Sequence, residues 1–287
     1  MSSDRRRRAR VQGGWAAPVP AAAAAAAGKG KEKAKLASPS PPAWLGKNVD
    51  HGPAPQKFLF KEPQEVILKY KLYIKAGVYD ISSEPSGVAR VRLFPSFIEA
   101  NQCEWMYEQL FSELPWRQRS DVKSGVSYLQ PRLTAWFGDF PYSYSGVRHE
   151  GNKNWPPILA MLKEKLEENT GCKFNSVLAN LYRNGHDHVP WHSDDESQLG
   201  NHPTIASLSF GDLRLFELRK KAPLELRANL PEDYQYTEYV RVPLDAGTLL
   251  IMEGACQEDW QHRIKREYHD RGPRINLTFR VIHPETE

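Results

Sequence analysis

The run Arg274-Ile275-Asn276-Leu277-Thr278-Phe279-Arg280 alternates polar and apolar side chains along its whole length. Successive side chains of a β-strand point to opposite faces, so the run predicts a strand with one apolar and one polar face. An edge strand with its polar face in water would show the same pattern. Inside a closed β structure, two buried guanidiniums are tolerated only beside an anion. We favour this second interpretation, in which the strand forms the wall of an anion-binding barrel.

Short β-rich runs, separated by polar or Gly/Pro turns, fill most of the chain after Gly171. Together with an earlier run they predict an antiparallel double-sheet barrel, a jelly roll of about eight strands, with functional side chains inside its mouth. We interpret residues 222–235 as an inserted surface loop. The predicted strands cover residues 133–137, 177–183, 204–210, 214–219, 236–243, 248–252 and 276–282.

Two helices are predicted ahead of this β-rich part. The first covers residues 96–114 with Ser96 as its N-cap, and the second covers residues 156–170. Pro156 suits the first turn of the second helix, and Gly171 is placed to end it. We expect both helices to pack on one face of a sheet. The predicted fold class is therefore mostly β with flanking helices (α+β), built on a jelly-roll core.

The composition excludes several classes of protein. With 287 residues and 40% apolar content, the chain can bury a substantial core. A membrane-spanning helix needs about eighteen consecutive apolar residues, and no such run is present, so we expect no transmembrane segment. The first arginines are not followed by a leucine-rich core, which argues against a secretion signal. Cys103, Cys172 and Cys256 are odd in number and widely spaced, which favours buried thiols in a reducing compartment over disulfides.

The amino-terminal region has a different composition from the rest. Residues 1–60 combine an arginine cluster, an alanine run and a Ser/Pro stretch, so we predict a disordered basic low-complexity tail before a domain at 61–287. Up to Lys47 this tail holds ten Lys or Arg against two acidic residues, a charge of +8, which leaves −4 for the remainder. Such a tail can act as a nuclear import signal, as a tether to phosphate backbones, or as a solvated leader with neither role.

Trp191-His192-Ser193-Asp194-Asp195-Glu196 and the distant His262 suggest a metal site. Two imidazoles and one carboxylate on one face of a metal leave the other face open, as in non-haem Fe(II) oxygenases. His192, Asp194 and His262 are the candidate ligands, in the order His-x-Asp and a distal His. Zinc is a competing interpretation, because His186 and His188 crowd the same loop.

The polar strand favours iron over zinc. Arginine forks match carboxylates, so Arg274 and Arg280 could hold the two ends of 2-oxoglutarate, whose keto-acid end would chelate the metal. By strand alternation, Asn180 and Tyr182 face the same pocket and can donate hydrogen bonds to the same ligand. A zinc site would give no reason for the arginine strand.

Six segments of the sequence, given at the end of this paragraph, together resemble the AlkB family of Fe(II)/2-oxoglutarate dioxygenases, which reverse alkylation damage in nucleic acids. The resemblance covers roughly residues 58–284. It implies a jelly roll preceded by a nucleotide-recognition lid, which we place at about residues 116–150. The strings that carry it are Asn180-Leu181-Tyr182, Pro131-Arg132-Leu133-Thr134-Ala135-Trp136-Phe137-Gly138, Trp191-His192-Ser193-Asp194-Asp195-Glu196, Leu249-Leu250-Ile251-Met252-Glu253-Gly254, His262 and Arg274 to Arg280.

The resemblance also implies roles for individual residues. His192, Asp194 and His262 would bind iron, and the 2-oxoglutarate site would comprise Asn180, Leu181, Tyr182, Arg274, Asn276 and Arg280. Asp195 would read the positive charge of a methylated base, while Trp116, Tyr142 and Tyr144 would contact that base from the lid. For Trp136 and Phe137 we favour a place in the core.

The implied activity is oxidative demethylation. Fe(II), 2-oxoglutarate and O₂ would serve to remove methyl groups from 1-methyladenine and 3-methylcytosine in single-stranded DNA and RNA, with release of formaldehyde, succinate and CO₂. A helicase that supplies single strands is a candidate partner, a monomer is the favoured state, and we expect the protein in nucleus and cytoplasm. Two alternatives stay open: a 2-oxoglutarate hydroxylase of a protein or small molecule, and a catalytically silent nucleic-acid binder.

Overall fold

A computed structural model of the chain describes residues 67–123, 126–144 and 147–284. The predicted tail, residues 1–60, lies outside the described residues. The helices are α1 (Ala100–Glu113), α2 (Pro157–Thr170), α3 (Leu224–Arg227) and α4 (Cys256–Asp259), with a 3₁₀ turn at Ser197–Leu199. The strands are β1 (Lys69–Leu72), β2 (Gly77–Glu84), β3 (Gly87–Phe94), β4 (Arg117–Lys123), β5 (Val126–Gly138), β6 (Tyr142–Tyr144), β7 (Val147–His149), β8 (Ser176–Tyr182), β9 (Val189–His192), β10 (Ile205–Gly211), β11 (Arg214–Lys220), β12 (Glu238–Leu244), β13 (Leu249–Gly254), β14 (Trp260–Ile264) and β15 (Arg274–Arg280).

Two sheets form the body of the fold, and a small β6–β7 ribbon accompanies them. The larger sheet has the order β2-β3-β13-β10-β15-β8-β5-β4, and the smaller has the order β1-β12-β11-β14-β9. The pairs in both sheets are antiparallel, except that β1 runs parallel to β12. The mostly β fold class with a jelly-roll core is thereby confirmed.

The strand β15 separates the hydrophobic core from a polar interior, as its alternation predicts. Ile275, Leu277 and Phe279 are fully buried in a cluster that includes Leu110 of α1 and Leu162 of α2. Burying each large aliphatic or aromatic side chain contributes roughly 1.5–3 kcal/mol, so the two helices fix this face of the strand firmly. The opposite face, with both arginines, lines a pocket between the two sheets.

The two long helices end close to the predicted positions, but α1 begins later. Ser96 has a φ of 57° and lies in a turn, whereas the residue that caps α1 is Glu99, without a side-chain hydrogen bond. The prediction of Ser96 as N-cap was therefore wrong. Pro95 favours a turn here, and the backbone N–H of Ile98 then donates to the carbonyl oxygen of Gly247 at 3.1 Å, which holds the chain outside the helix. At the end of α2, Gly171 adopts the left-handed conformation with a φ of 72°, as predicted.

Several strands escaped the sequence prediction. The hairpin of β2 and β3 adds two strands to the larger sheet, and β9 and β14 add two strands to the smaller one. In the region predicted as a lid, β4 and β5 form a hairpin that extends the larger sheet. The predicted surface loop at 222–235 contains the single turn α3, so that part of the prediction was incomplete.

Two simpler expectations concern the cysteines and the length of the helices. The thiols of Cys103 and Cys256 are buried and that of Cys172 is half-buried, and all three are free. None of the helices in the described part of the chain combines the length and hydrophobicity that a membrane span requires.

Candidate active site

The two imidazoles of the candidate metal site come from adjacent antiparallel strands. His192 ends β9 and pairs directly with His262 in the middle of β14, and their ring centroids are 4.1 Å apart. Along β14 the side chains of Trp260, His262 and Ile264 are buried while the residues between them are half-buried, so alternation turns His262 inward. The short helix α4 separates β13 from β14, so the histidine lies within a strand of its own.

Asp194 completes the group from the loop that follows β9. Its backbone N–H donates to Gln257 Oε1 at 2.9 Å, and the neighbouring Ser193 hydroxyl donates to the carbonyl oxygen of Trp260 at 2.9 Å. These two bonds tie the loop to α4 and to the start of β14. One donor atom each of His192, Asp194 and His262 lie within 4.8 Å of one another.

The alternative zinc site is not assembled. His188 Nδ1 lies 2.9 Å from the carbonyl oxygen of His186, and His186 Nδ1 is 3.0 Å from a guanidinium nitrogen of Arg266. Among the described residues, the cluster with metal-ligating geometry contains His192, but neither His186 nor His188.

The charge state of the three side chains suits a divalent metal. Burial alone would raise the pKa of Asp194, but the Arg280 guanidinium and the two imidazoles lower it to about 2. Burial lowers the pKa of His262 to about 3, and burial also lowers the pKa of His192. Near neutral pH the site therefore holds a carboxylate and two neutral imidazoles, the forms that bind metal.

Both arginines of β15 line the pocket, with different partners. Arg280 Nη2 donates to Asp194 Oδ2 at 2.7 Å, so this guanidinium lies beside the metal ligands. Arg274 is 1% exposed and donates from Nη2 to the hydroxyl of Ser209 at 2.9 Å. Burial lowers the pKa of Arg274 to about 10, which leaves the side chain charged near neutral pH.

Unsatisfied atoms in this pocket indicate what it is built to bind. Among the described residues, Asp194 Oδ1 and two guanidinium nitrogens of Arg274, Nε and Nη1, are buried without a hydrogen-bond partner. A lone carboxylate oxygen between two imidazoles fits a metal ion, and unpaired guanidinium N–H groups fit the oxygens of a carboxylate. Leaving such groups unpaired is costly, so the residues fit an Fe(II) ion with a dicarboxylate beside it.

Strand alternation turns some of the other predicted cofactor residues toward the pocket and one of them toward the hydrophobic core. Asn180, Tyr182 and Asn276 line the pocket, and Asn180 Oδ1 accepts a hydrogen bond from Arg132 Nε at 2.9 Å. Leu181 points to the opposite face of β8 and is 2% exposed within the hydrophobic core. The structure therefore gives the side chain of Leu181 a packing role.

Comparisons with known proteins agree with this geometry. Residues 90–280 match the model of the 2OG-Fe(II) oxygenase superfamily. The chain is 50% identical to human "Alpha-ketoglutarate-dependent dioxygenase alkB homolog 3" over 98% of its own length and 97% of the relative's, and 49% identical to the mouse protein over the same shares. The chain belongs to the AlkB family of Fe(II)/2-oxoglutarate dioxygenases. Mouse "DNA oxidative demethylase ALKBH2" is 38% identical over 54% of the chain and 63% of that relative.

Membership of this family gives the pocket its cofactors. The AlkB-family enzyme uses Fe(II), 2-oxoglutarate and O₂. His192, Asp194 and His262 would hold the iron, and the unpaired nitrogens of Arg274 would donate to a carboxylate of the co-substrate. Arg280 was predicted to bind one end of 2-oxoglutarate. It also forms an ion pair with the metal ligand Asp194 and so holds that ligand in place.

Of the four predicted substrate contacts, the three with described side chains have different partners. Trp116 packs beside α1 against the hydrophobic core, and its indole N–H donates to the carbonyl oxygen of Phe111 at 3.0 Å. Tyr142 is fully buried, stacks on Trp136 and donates to Glu196 Oε2 at 3.0 Å. The Asp195 carboxylate is 70% exposed and lies 3.9 Å from Lys221 Nζ. The side chain of Tyr144 lies outside the described part of the structure.

Trp136 and Phe137 are both buried, so their predicted place in the core is confirmed.

Sequence reasoning missed two residues that shape the AlkB-family site. Phe216 lines the pocket and stacks on His262 at 5.2 Å, and its alternation with Leu218 on β11 was a signal for this inward position. The second residue is Glu196, whose pKa burial raises to about 7. No sequence pattern predicts this shift, because the burial arises only when the chain folds.

Proposed function

We propose that this dioxygenase is an oxidative demethylase of alkylated nucleic acid. It would remove methyl groups from 1-methyladenine and 3-methylcytosine in single-stranded DNA and RNA, releasing formaldehyde while 2-oxoglutarate becomes succinate and CO₂. The names of the relatives support demethylation, since one of them is described as a DNA oxidative demethylase. The observation that carries the proposal is the His192, Asp194 and His262 cluster, with two unpaired guanidinium nitrogens of Arg274 in the same pocket.

Each group in the pocket then has a defined task. When bound, the iron centre with 2-oxoglutarate and O₂ supplies the oxidising power that the side chains lack. His192, Asp194 and His262 would orient it, and Arg274 would orient the co-substrate through its unpaired nitrogens. The apolar side chains of Phe216 and Met252 line the same pocket and limit water around the reacting methyl group.

Selection of the damaged base would rest on charge. Both proposed bases carry a positive charge when methylated, and unmodified adenine and cytosine do not. The exposed carboxylate of Asp195 follows directly on the metal ligand Asp194, and Lys221 at 3.9 Å only partly balances it. A carboxylate at this position would therefore favour the cationic damaged base over the normal one.

Formaldehyde release from methylated single-stranded DNA and RNA tests this function. Asp194→Ala should abolish release from every substrate, because it removes a metal ligand. Asp195→Ala, with Asp195→Asn as its isosteric control, should lower activity on cationic bases while leaving 2-oxoglutarate binding intact. Equal loss of all activities in the Asp194 and Asp195 variants would remove the proposed role of Asp195.

The same assay separates the alternatives. Succinate formation with a protein or small molecule, together with no formaldehyde from methylated oligonucleotides, would favour the alternative hydroxylase. Anaerobic addition of Fe(II) and 2-oxoglutarate should also give a weak visible charge-transfer band. Bound iron without that band would favour a catalytically silent nucleic-acid binder.

The basic amino-terminal tail would help to bring nucleic acid to the active site. The charge of +8 up to Lys47 supports contacts between the tail and phosphate backbones, which fall with rising salt. We propose nucleus and cytoplasm as the locations of the protein, a monomer as its working state, and a helicase as the partner that provides single strands.

A further inference from the structure

Arg214 is a completely buried arginine close to the catalytic pocket, yet it is not among the residues that would bind iron or 2-oxoglutarate. It begins β11, and its side chain points inward on the same face as Phe216, whose ring stacks on His262. Its relative exposure is 0%, and burying a charge so completely is expensive unless the charge is paired and hydrogen-bonded. The partners of Arg214 therefore explain why it is there.

The guanidinium of Arg214 connects two loops that flank the metal-binding strands. Nη1 donates to the carbonyl oxygen of Asn184 at 3.3 Å, and Nη2 donates to that of Asp187 at 3.1 Å, both just before β9. Nη2 also donates to the carbonyl oxygen of Lys265 at 2.5 Å, directly after β14. One side chain thus ties together the entry to the strand that ends at His192 and the exit from the strand that carries His262.

The same guanidinium contacts the ring of Tyr182, which lines the pocket. Its central carbon lies 5.7 Å from the centroid of the Tyr182 ring, and that of Arg274 lies 5.2 Å from the same ring. Tyr182 is 2% exposed, so its ring is held between its neighbours rather than by solvent. Arg214 is therefore in contact with a pocket-lining ring that Arg274 also contacts.

The local charge balance favours an anion in this place. Arg214 Nε is 3.8 Å from Glu267 Oε1, and the second carboxylate oxygen of Glu267 accepts from Arg271 Nε at 2.5 Å. Glu267 is thus shared between two arginines, and the positive charge of Arg214 is one of the causes that lower the pKa of Arg274. A dianionic co-substrate would relieve the repulsion between the two buried guanidiniums.

We propose that Arg214 is a positioning residue for 2-oxoglutarate. It fixes the ring of Tyr182 and the two loops beside it, and it adds positive potential at the end of the pocket where Arg274 binds a carboxylate. Arg214 acts through these groups and does not touch the co-substrate. Its removal should weaken 2-oxoglutarate binding and leave the iron ligands, which other contacts hold, able to bind metal.

Equilibrium binding of 2-oxoglutarate to the full-length, Fe(II)-loaded protein without O₂ tests this proposal. The charge-transfer band reports co-substrate binding, and a separate Fe(II) titration reports the metal site. Residues that act on a binding site without touching the ligand change its affinity by up to about 30-fold, so Arg214→Met should raise the dissociation constant of 2-oxoglutarate by roughly 5- to 30-fold. Arg214→Lys, which keeps the charge but loses the fork, should fall between Arg214→Met and wild type.

Arg271→Met is the matched control. It removes the other arginine that pairs with Glu267, and its side chain is 25% exposed and is not in contact with Tyr182 in the described structure. We expect less than about a twofold change in 2-oxoglutarate binding for this variant, and a similarly small change in Fe(II) affinity for all three.

Two results would overturn the proposal. One is unchanged 2-oxoglutarate affinity in folded Arg214→Met, and the other is an equal loss in Arg214→Met and Arg271→Met, which would indicate general loosening of the loops. If Arg214→Met does not fold, Arg214→Lys decides, and wild-type affinity in that variant would overturn the proposal in the same way. In turnover, the change should appear in the KM for 2-oxoglutarate, with kcat at saturation little altered.

Discussion

Mild acid should destabilise the protein through His149, a buried histidine of β7. Its side chain is 4% exposed, and its ring centroid lies 5.7 Å from that of Trp136. Burial, and after it the charges of Arg119 and Arg132, lower the pKa of His149 to about 4 from the ordinary 6.5. The folded protein therefore keeps this imidazole neutral at pH values where an unfolded chain would protonate it.

The size of the effect follows from the shift in pKa. As the pH falls, the unfolded state takes up the proton first, near pH 6.5, so the free energy of unfolding decreases from there down to about pH 4. At roughly 1.4 kcal/mol per pKa unit, the full shift corresponds to about 3 kcal/mol. Between about pH 7.5 and about pH 5, the expected loss from this one group is about 2 kcal/mol.

Urea unfolding of wild type and His149→Gln at these two pH values measures the effect. Carboxylates that titrate in the same range contribute equally to both proteins, so the difference between their pH dependences isolates His149. We expect wild type to lose about 2 kcal/mol more than the variant. Identical pH dependences would refute the reasoning, because they would show that His149 titrates alike in folded and unfolded chains.

Three further changes have definite outcomes. Arg274→Met should weaken 2-oxoglutarate binding at least roughly thirtyfold, since losing one partner of a buried charge pair costs about 2 kcal/mol or more; unchanged affinity in the anaerobic titration would place the carboxylate elsewhere. Leu162→Ala should lower the free energy of unfolding by about 2–5 kcal/mol, against a small change for the exposed neighbour in Met161→Ala. Gly254→Ala should cost about 1–3 kcal/mol by thermal unfolding, because Gly254 has a φ of 61° and an added Cβ would overlap the carbonyl oxygen of Val88; a wild-type melting temperature would contradict this.

Local patterns predicted the parts of the fold that depend on near neighbours. The alternation of Arg274 to Arg280 was sufficient to predict a polar and an apolar face, because strand geometry turns every second side chain the same way. The same rule puts Leu181 on the core face, although the resemblance of the string Asn180-Leu181-Tyr182 suggested a pocket role for all three residues. The strand β9 was missed because four residues are too few to show a period.

The sequence alone was sufficient to predict the candidate iron ligands His192, Asp194 and His262, the polar wall of the pocket and the end of α2 at Gly171, since each depends on residue type and spacing. Only the tertiary structure decided that His192 pairs across strands with His262, that Arg280 binds Asp194, and that Arg214 joins the loops around both metal strands. These contacts join residues between 27 and 86 positions apart along the chain. Their geometry is set by the packing of two sheets and by the need to pair each buried charge, which no local pattern of side chains encodes.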